Sequence, residues 1–237
     1  MDILIGTDPE LFVKNDKDEF VSAHDLIPGT KDNPYLVGGG AVQVDGVAAE
    51  FNTNPASSED EFLENINRVR TRLNEMVQEV NPSYHLVAEP TATFTKEYFG
   101  MLPPEAVMLG CTPDYDAYTG KQNIPPETTE PFRTGAGHIH VGWTMGVDPL
   151  EEDHFKICCE LVKQLDAVLY PLSHTWDSDT KRRTLYGKRG SFRPKFYGVE
   201  WRPLSNAYLR EERTIRLVYR AVFEATRLYF DGVKLYE

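Results

Sequence analysis

Four pairs of functional side chains, each pair separated by one residue, recur along this chain in strand-like text: Asp8 and Glu10, Glu50 and Asn52, His138 and His140, and Glu200 and Arg202. In a β-strand residues i and i+2 point to the same side, so each pair converges on one face of a sheet. A half-solvated sheet carries polar residues at alternate positions in any case, but an exposed strand is usually dressed in Thr, Lys, Arg and Gln. This set is dominated by carboxylates and imidazoles, which are metal ligands. Acids gathered on one face disfavour each other's ionisation, and divalent cations relieve that repulsion. Several carboxylates with one His describe an oxygen-rich pocket, which suits Mg²⁺ or Mn²⁺ better than a thiol-lined zinc site. The His-x-His pair by itself fits two zinc ligands or two exposed strand residues equally well.

The text around these pairs predicts an α+β fold. Ile3 to Lys14 reads as a strand with Leu4, Gly6, Asp8, Glu10 and Phe12 on one parity, and Pro9 within it favours an edge or a bulge. Ala41 to Asn52 reads as a second strand-like run broken by the hairpin signal Asp45-Gly46. Ser58 and Glu61 form a capping-box pattern ahead of Phe62, Ile66, Val69, Leu73, Met76 and Val80 at helical spacing. Short strands are expected near His85 to Ala88 and Ala106 to Leu109, followed by a Pro-rich loop through Pro125, Pro126 and Pro131. Gly135 to Trp143 predicts another strand. Asp148-Pro149-Leu150-Glu151 then predicts a cap and first turn for a helix with Phe155, Cys158, Val162, Leu165 and Leu169 on one face, ended near Pro171. A strand from Tyr197 to Pro203 and a last helix from about Glu211 to Phe230 complete the pattern. Strands and helices mix without regular alternation, which favours α+β over a doubly wound parallel sheet. A length of 237 residues suits one generous domain spanning 1–237.

The formal net charge of -12 argues against general nucleic-acid binding. It hides an asymmetry: Lys181 to Arg220 carries 12 of the 25 Lys and Arg and is +9, leaving -21 for the remainder. A basic region in an acidic protein suits a compact anion such as a nucleotide triphosphate, although part of it reads equally as a solvated helix face. Within it, Arg182 to Arg193 reads as a loop that places guanidinium groups among glycines, and Arg forks match phosphate oxygens. No Walker-type phosphate loop occurs. No apolar run reaches the roughly 20 residues of a membrane span, and Met1 to Gly6 leads into a strand pattern without a basic signal region. Cys111, Cys158 and Cys159 do not suggest a disulfide framework. A cytoplasmic location is the expectation.

Gly6-Thr7-Asp8-Pro9-Glu10-Leu11-Phe12-Val13 resembles the glutamine synthetase strand whose two acids, one residue apart, bind metals. Gly135-Ala136-Gly137-His138-Ile139-His140 is similar to that family's Gly-rich His-x-His strand, and Val199 to Leu209 is similar to its Glu-x-Arg segment, in the same order along the chain. With Asp45-Gly46, Glu50-Phe51-Asn52 and Tyr197-Gly198-Val199-Glu200 included, the set looks most like the phage-type carboxylate–amine ligases, or amidoligases, of the glutamine synthetase-like superfamily. The resemblance touches most of the chain through short motifs, and their combination is what is specific.

That resemblance implies a glutamine synthetase-like catalytic domain, a curved antiparallel sheet with helices packed on one face. It implies an ATP- and Mg²⁺- (or Mn²⁺-) dependent ligase that joins a carboxylate substrate to an amine substrate through an acyl phosphate, in the cytoplasm, of an infected host cell if phage-encoded. Glu10, Glu50 and Glu200 would hold metals, with Asp8 as a further ligand or water-mediated contact. His138 would take the second metal and His140 would approach the nucleotide phosphates. Arg193 and Arg202 would stabilise the phosphoryl group in transfer; Arg133, Arg183 and Arg189 are candidates for phosphate or substrate carboxylate, and Asn52 for substrate. The chain departs from glutamine synthetase at Val42, where that enzyme has another metal-binding acid, which leaves open whether Asp45 substitutes. The amine's proton acceptor is not identified; Asp114 and Asp116 are candidates, with a turn as the simpler role. A guanidino-kinase-like phosphotransferase on the same fold, an inert nucleotide-binding module and, more distantly, a zinc hydrolase stay open as alternatives. Both substrates and the oligomeric state, with an oligomer possible, are left undetermined.

Overall fold

A computed structural model describes residues 2–107, 114–124 and 130–237. In chain order the elements are β1 (Leu4–Lys14), β2 (Phe20–Val21), β3 (Tyr35–Val37), β4 (Gly40–Asp45), β5 (Ala48–Thr53), α1 (Glu59–Val80), β6 (His85–Val87), β7 (Thr91–Thr93), α2 (Lys96–Met101) and α3 (Pro104–Val107). After these come β8 (Tyr115–Asp116), β9 (Phe132–Thr134), β10 (Gly137–Gly142), α4 (Glu152–Ser173), α5 (Thr180–Leu185), β11 (Ser191–Lys195), β12 (Gly198–Trp201), a 3₁₀ turn (Asn206–Arg210) and α6 (Glu212–Phe230). The strands form an antiparallel sheet in the order β3-β4-β5-β1-β10-β12-β11-β8, with β2 and β6 pairing the far end of β1, and β7 pairs β9 separately. The fold is α+β with a large antiparallel sheet.

Strand β1 is the centre of this sheet, and its alternation separates two environments. Ile5, Leu11 and Val13 face the main core with Val42, Phe51, Ile139, Val141, Phe192, Val199 and Trp201. The same core takes the apolar stripes of α1, α4 and α6, so the three long helices cover one side of the sheet. Leu4, Gly6, Asp8, Glu10 and Phe12 share the opposite parity. Each fully buried Leu, Ile or Phe in the core contributes about 1.5–3 kcal/mol from area removed from water, and Ile66→Ala or Leu73→Ala would cost about 2–5 kcal/mol through the cavity left behind.

Pro9 does not mark an edge. Register to β10 runs from Leu4 to Pro9, whereas the ladder to β5 begins only at Glu10, and the Thr7 N–H on that side donates to Thr53 Oγ1 at 3.1 Å instead. Proline therefore sits where β1 changes partners, so no ladder hydrogen bond is lost. In the β4–β5 hairpin Asp45 pairs with Ala48, and Gly46, at φ 58, opens the two-residue loop as such turns require.

Helix α1 starts at Ser58, whose side chain accepts from the Glu61 N–H, while Glu61 Oε2 reaches back to the Ser57 N–H at 2.8 Å, one residue earlier than a standard capping box. Phe62, Ile66, Val69, Leu73 and Met76 are buried as expected, but Val80, the last helical residue, is 55% exposed.

Other expectations are changed or sharpened. Ala106 and Val107 lie in the helical turn α3 rather than a strand, and the rest of that candidate, like Cys111, Pro125 and Pro126, falls outside the described residues. Asp148 does not cap α4: it closes a turn with Leu150 and Glu151, and Glu151 takes the capping role through the Asp153 and His154 N–H groups. Pro171 lies inside the last turn of α4, which ends at Ser173. The stretch read as an Arg-rich loop is the short helix α5, capped by Asp179, then a turn and strand β11. Asp116 does make a turn, accepting from the Tyr118 and Thr119 N–H groups, but within the two-residue strand β8. No helix among the described residues is long and apolar enough to cross a membrane.

Candidate functional site

The face of the sheet away from the long helices opens into a cleft of about 390 Å³, within the range of small-ligand sites. Its floor follows from strand register. Asp8 on β1 lies opposite His138 on β10, Glu10 opposite Glu50 on β5, and Glu200 on β12 between His140 on β10 and Arg193 on β11. Arg202, just past β12, Lys195 on β11 and Lys188 complete a cationic wall facing the acids. Gly137 allows close approach from behind: a Cβ there would lie 2.5 Å from the Ser205 carbonyl oxygen.

At the β10–β12 end the charges are interlocked. Glu200 is fully buried, with Lys195 Nζ 2.7 Å from Oε2, Arg193 Nη1 3.3 Å from Oε1, and Arg202 Nη1 in direct contact with Oε1. Arg202 Nε also pairs with Asp114 Oδ2 at 3.3 Å. Burial alone would raise the Glu200 carboxyl, but Arg202, with His138 and Lys195 behind it, holds it far below the usual range. Burial acts upward on Asp8 as well, and is outweighed by His140 and His138, which keep it well below its ordinary value. Burial and Arg202 push His138 down to about 4, while Asp8 lifts His140 against the effect of burial.

The β1–β5 end behaves oppositely. Burial, followed by the charge of Asp45, pushes Glu10 up to about 7, although its Oε2 accepts from the Ala136 N–H at 3.0 Å. Burial and the charges of Asp8, Asp45 and Glu10 drive Glu50 well above its ordinary value, while Gln43 Nε2 donates to its Oε2 at 2.9 Å. Val42 points into the helix-side core, so β4 supplies Gln43 and Asp45 to the cleft. Lys31 Nζ stands 2.7 Å from Asp45 Oδ2.

Asp8, Glu10, Glu50, His138, Glu200, Arg193 and Arg202 thus line one cleft. Other candidates lie elsewhere. Asn52 is half-buried two residues beyond Glu50, outside the lining. His140 sits behind the lining, with Nδ1 in contact with the Tyr197 hydroxyl and Nε2 3.1 Å from Asp8 Oδ1. Arg183 is buried against Ser173 Oγ and the Asp177 carbonyl, and Arg189 lies over the Tyr118 ring at 4.9 Å, so neither guanidinium reaches the cleft. Arg133 does line it, but its guanidinium donates to the carbonyls of Glu130, Phe132 and Val107 and stacks on Phe99 at 4.6 Å. These contacts hold the guanidinium in place at the edge of the cleft.

Residues missed in the sequence include Lys195, Lys31, Gln43 and Tyr197. Lys195 was open to discovery, since it follows Arg193 by two on a strand. Arg182 also lines the cleft, and its guanidinium donates to the Pro203 and Leu204 carbonyls, at 2.9 Å to the former, which fixes the chain just past Arg202. No family model matches the chain, and no match is found among curated proteins.

Proposed function

We propose that this protein is an ATP-dependent carboxylate–amine ligase of the amidoligase type, built on a glutamine synthetase-like sheet and dependent on Mg²⁺ or Mn²⁺. The observation that carries the reading is the facing of carboxylates and cationic side chains across one cleft: Glu10, Glu50, Asp8 and Glu200 on the floor, with Arg193, Lys195, Arg202 and Lys188 along one side. The donor set fits divalent cations. Glu10 and Glu50 are cross-strand neighbours whose carboxyls burial and neighbouring acids, Asp45 among them, hold up, a cost that a cation between oxygen ligands removes. Glu10 and Glu50 would hold a cation at one end, and Asp8 and Glu200 one at the other. When bound, such ions would neutralise the charge of phosphate oxygens in phosphoryl transfer.

The chain's own residues would do the rest. Arg193 and Arg202, both anchored on Glu200, would hold the moving phosphoryl group by fixed positive charge that needs no reorganisation. A substrate carboxylate oxygen attacks the terminal phosphorus of ATP, ADP leaves, and an acyl phosphate forms. The amine nitrogen then attacks the acyl carbon, phosphate departs, and the nitrogen loses a proton to give the amide.

Incubation with ATP, Mg²⁺, pooled amino acids and cell extract, followed by mass spectrometry, should give a product lighter by one water than its summed reactants. ADP release should require both an amine and a carboxylate. A stable phosphorylated product without ligation would instead establish a phosphotransferase.

A further inference from the structure

Among the described residues six carboxylates line the cleft: Asp8, Glu10, Asp45, Glu50, Asp114 and Glu200. Asp8, Glu10, Glu50 and Glu200 form the floor, where cations would take up their lone pairs, and Asp45 Oδ2 is paired with Lys31 Nζ at 2.7 Å. Asp114 is the remaining one, and it stands among the bases of the opposite wall. It enters the cleft just before β8, where its backbone carbonyl accepts from the Asn123 N–H at 2.8 Å, and its side chain is 24% exposed. Asp116, two residues on, uses its carboxylate on the Tyr118 and Thr119 N–H groups and lies outside the lining.

Arg202 fixes where the Asp114 carboxylate stands relative to a phosphoryl group. Its Nε donates to Asp114 Oδ2 at 3.3 Å, while its Nη1 meets Glu200 Oε1 and, at 3.3 Å, His138 Nδ1. The third nitrogen, Nη2, has no partner among the described residues, and neither has Asp114 Oδ1. In the planar guanidinium fork Nε–H and one Nη2–H point along the same edge. A phosphoryl oxygen held by Nη2 therefore lies beside Asp114, and in an acyl phosphate one bridging oxygen separates that phosphorus from the acyl carbon. Asp114 Oδ1 is thus an unengaged acceptor next to the carbon that the amine attacks. A guanidinium only donates, so the imidazole in the lining, His138, has its Nδ1 lone pair taken by Arg202.

We propose that Asp114 is the proton acceptor for the amine substrate, which deepens the ligase reading of the cleft and rests on it. An alkyl amine near neutral pH is an ammonium and has no lone pair with which to attack. Asp114 Oδ1 takes one of its three protons. The freed nitrogen then forms its bond to the acyl carbon, and the bond from that carbon to the bridging oxygen breaks with its electron pair going to phosphate. A second proton passes from nitrogen to the departing phosphate, the third stays on the amide, and Asp114 returns its proton to water. A positioned base of this kind contributes about 10²–10⁴-fold to rate.

The test compares two amines in the presence of ATP, Mg²⁺, the pooled amino acids and cell extract. One reaction relies on the ammonium groups of that mixture, with amide read by mass spectrometry. The other adds hydroxylamine, which is largely uncharged near neutral pH and attacks acyl phosphates without an acceptor, with hydroxamate read by its ferric complex. In Asp114→Asn the side-chain oxygen still accepts from Arg202, so the melting temperature should hold, while the ratio of amide rate to hydroxamate rate should fall about 100-fold or more. Asp114→Glu, which keeps a carboxylate, should recover part of that ratio. If Asp114→Asn does not fold, Asp114→Ala replaces it, and added formate should restore amide formation by supplying the missing acceptor. An unchanged ratio, with both rates kept or both falling together, overturns the inference, since a residue that only holds Arg202 affects the acyl phosphate and hence both amines alike. If the unaltered protein forms neither amide nor hydroxamate, the ligase reading fails and the inference with it.

Discussion

The two ends of the cleft are built from the same residue type and have opposite electrostatics. Burial acts upward on the carboxyls of Asp8, Glu200, Glu10 and Glu50 alike, so burial does not separate them. Company does. Glu200 is ringed by Arg202, Arg193 and Lys195, and Asp8 by two imidazoles, whereas Glu10 and Glu50 face each other with Asp45 nearby. One end is balanced by the protein's own cations, and the other draws its balance from Lys31 and from solution. A charged cleft is therefore not one site with one charge but a gradient set by which strand carries the bases.

The largest break in that comparison should come from Glu200→Ala. It leaves Arg202, Arg193 and Lys195 without their shared counter-charge, and removing one partner of a buried ion pair costs about 3–5 kcal/mol. At the other end Glu50→Gln, measured with divalent cations chelated, should stabilise by about 1 kcal/mol, because it removes repulsion rather than attraction. Urea unfolding reads both, and two changes of the same sign would dissolve the distinction between the ends.

Next in size is pH dependence. Glu10 is raised from an ordinary 4.5 to about 7, so between these values the folded protein binds more protons than the unfolded chain. Its contribution is fully present below about 4.5 and is lost as pH rises through about 7, on the order of 3 kcal/mol in all. His138, pushed from 6.5 down to about 4, has the opposite slope over much of that window, contributing above 6.5 and losing its contribution as pH falls toward 4. The Glu10 effect is therefore read as the difference between the protein and Glu10→Gln in urea titrations from pH 5 to 8 with a chelator present. Saturating Mg²⁺ should flatten that difference, since a bound cation favours the ionised carboxylate. An unchanged difference would detach Glu10 from cation binding.

A smaller effect concerns what supports the cationic end from behind. Asp166, buried in α4, accepts from Trp201 Nε1 and from the Gly190 N–H, both at 2.8 Å, and so ties the helix layer to the residue between Glu200 and Arg202 and to the turn before β11. Asp166→Asn keeps one acceptor and turns an amide donor toward one of the two donors, which should cost about 1–3 kcal/mol. Urea unfolding measures the loss, and Trp fluorescence reports the released indole. A change below 0.5 kcal/mol on the order of surface substitutions would remove Asp166 from the support of the site.

Asp166 also shows where sequence reading stops. Strands and long helices were legible because their periods, two and near 3.6, are written in the apolar residues: Ile5, Leu11 and Val13 on β1, and Phe62 to Met76 on α1. The floor of the site was legible for the same reason, since i, i+2 pairs need only a strand to share a face. What register decides was not: sequence places His138 and His140 on one face but does not say that one meets Arg202 and the other Tyr197. Arg183 and Arg189 looked alike as members of a basic stretch, yet α5 turns one into the protein and the turn after it leaves the other over Tyr118. Asp166, following Leu165 in an apolar helix, carries no signal because its partners are 24 and 35 residues away.

The smallest predicted effect on stability sharpens the comparison most directly. Lys31 and Asp45 form an ion pair with side chains 48% and 21% exposed, and such pairs contribute roughly 0–1 kcal/mol. Lys31→Ala should therefore scarcely move the urea midpoint. Yet Lys31 is the basic residue paired with Asp45 at the β1–β5 end, so its ammonium competes with any added cation for the same carboxylates. Its removal should strengthen Mn²⁺ binding there about threefold or more at low ionic strength, and the gain should shrink as salt screens the exposed charge. The Asp8–Glu200 end, balanced by Arg202, Arg193 and Lys195, should show no such change, so calorimetry resolving two classes of site would see one tighten and the other stay. Equal tightening of both would mean that the cleft responds as a single field. Unchanged binding at both would place Lys31 outside the balance altogether.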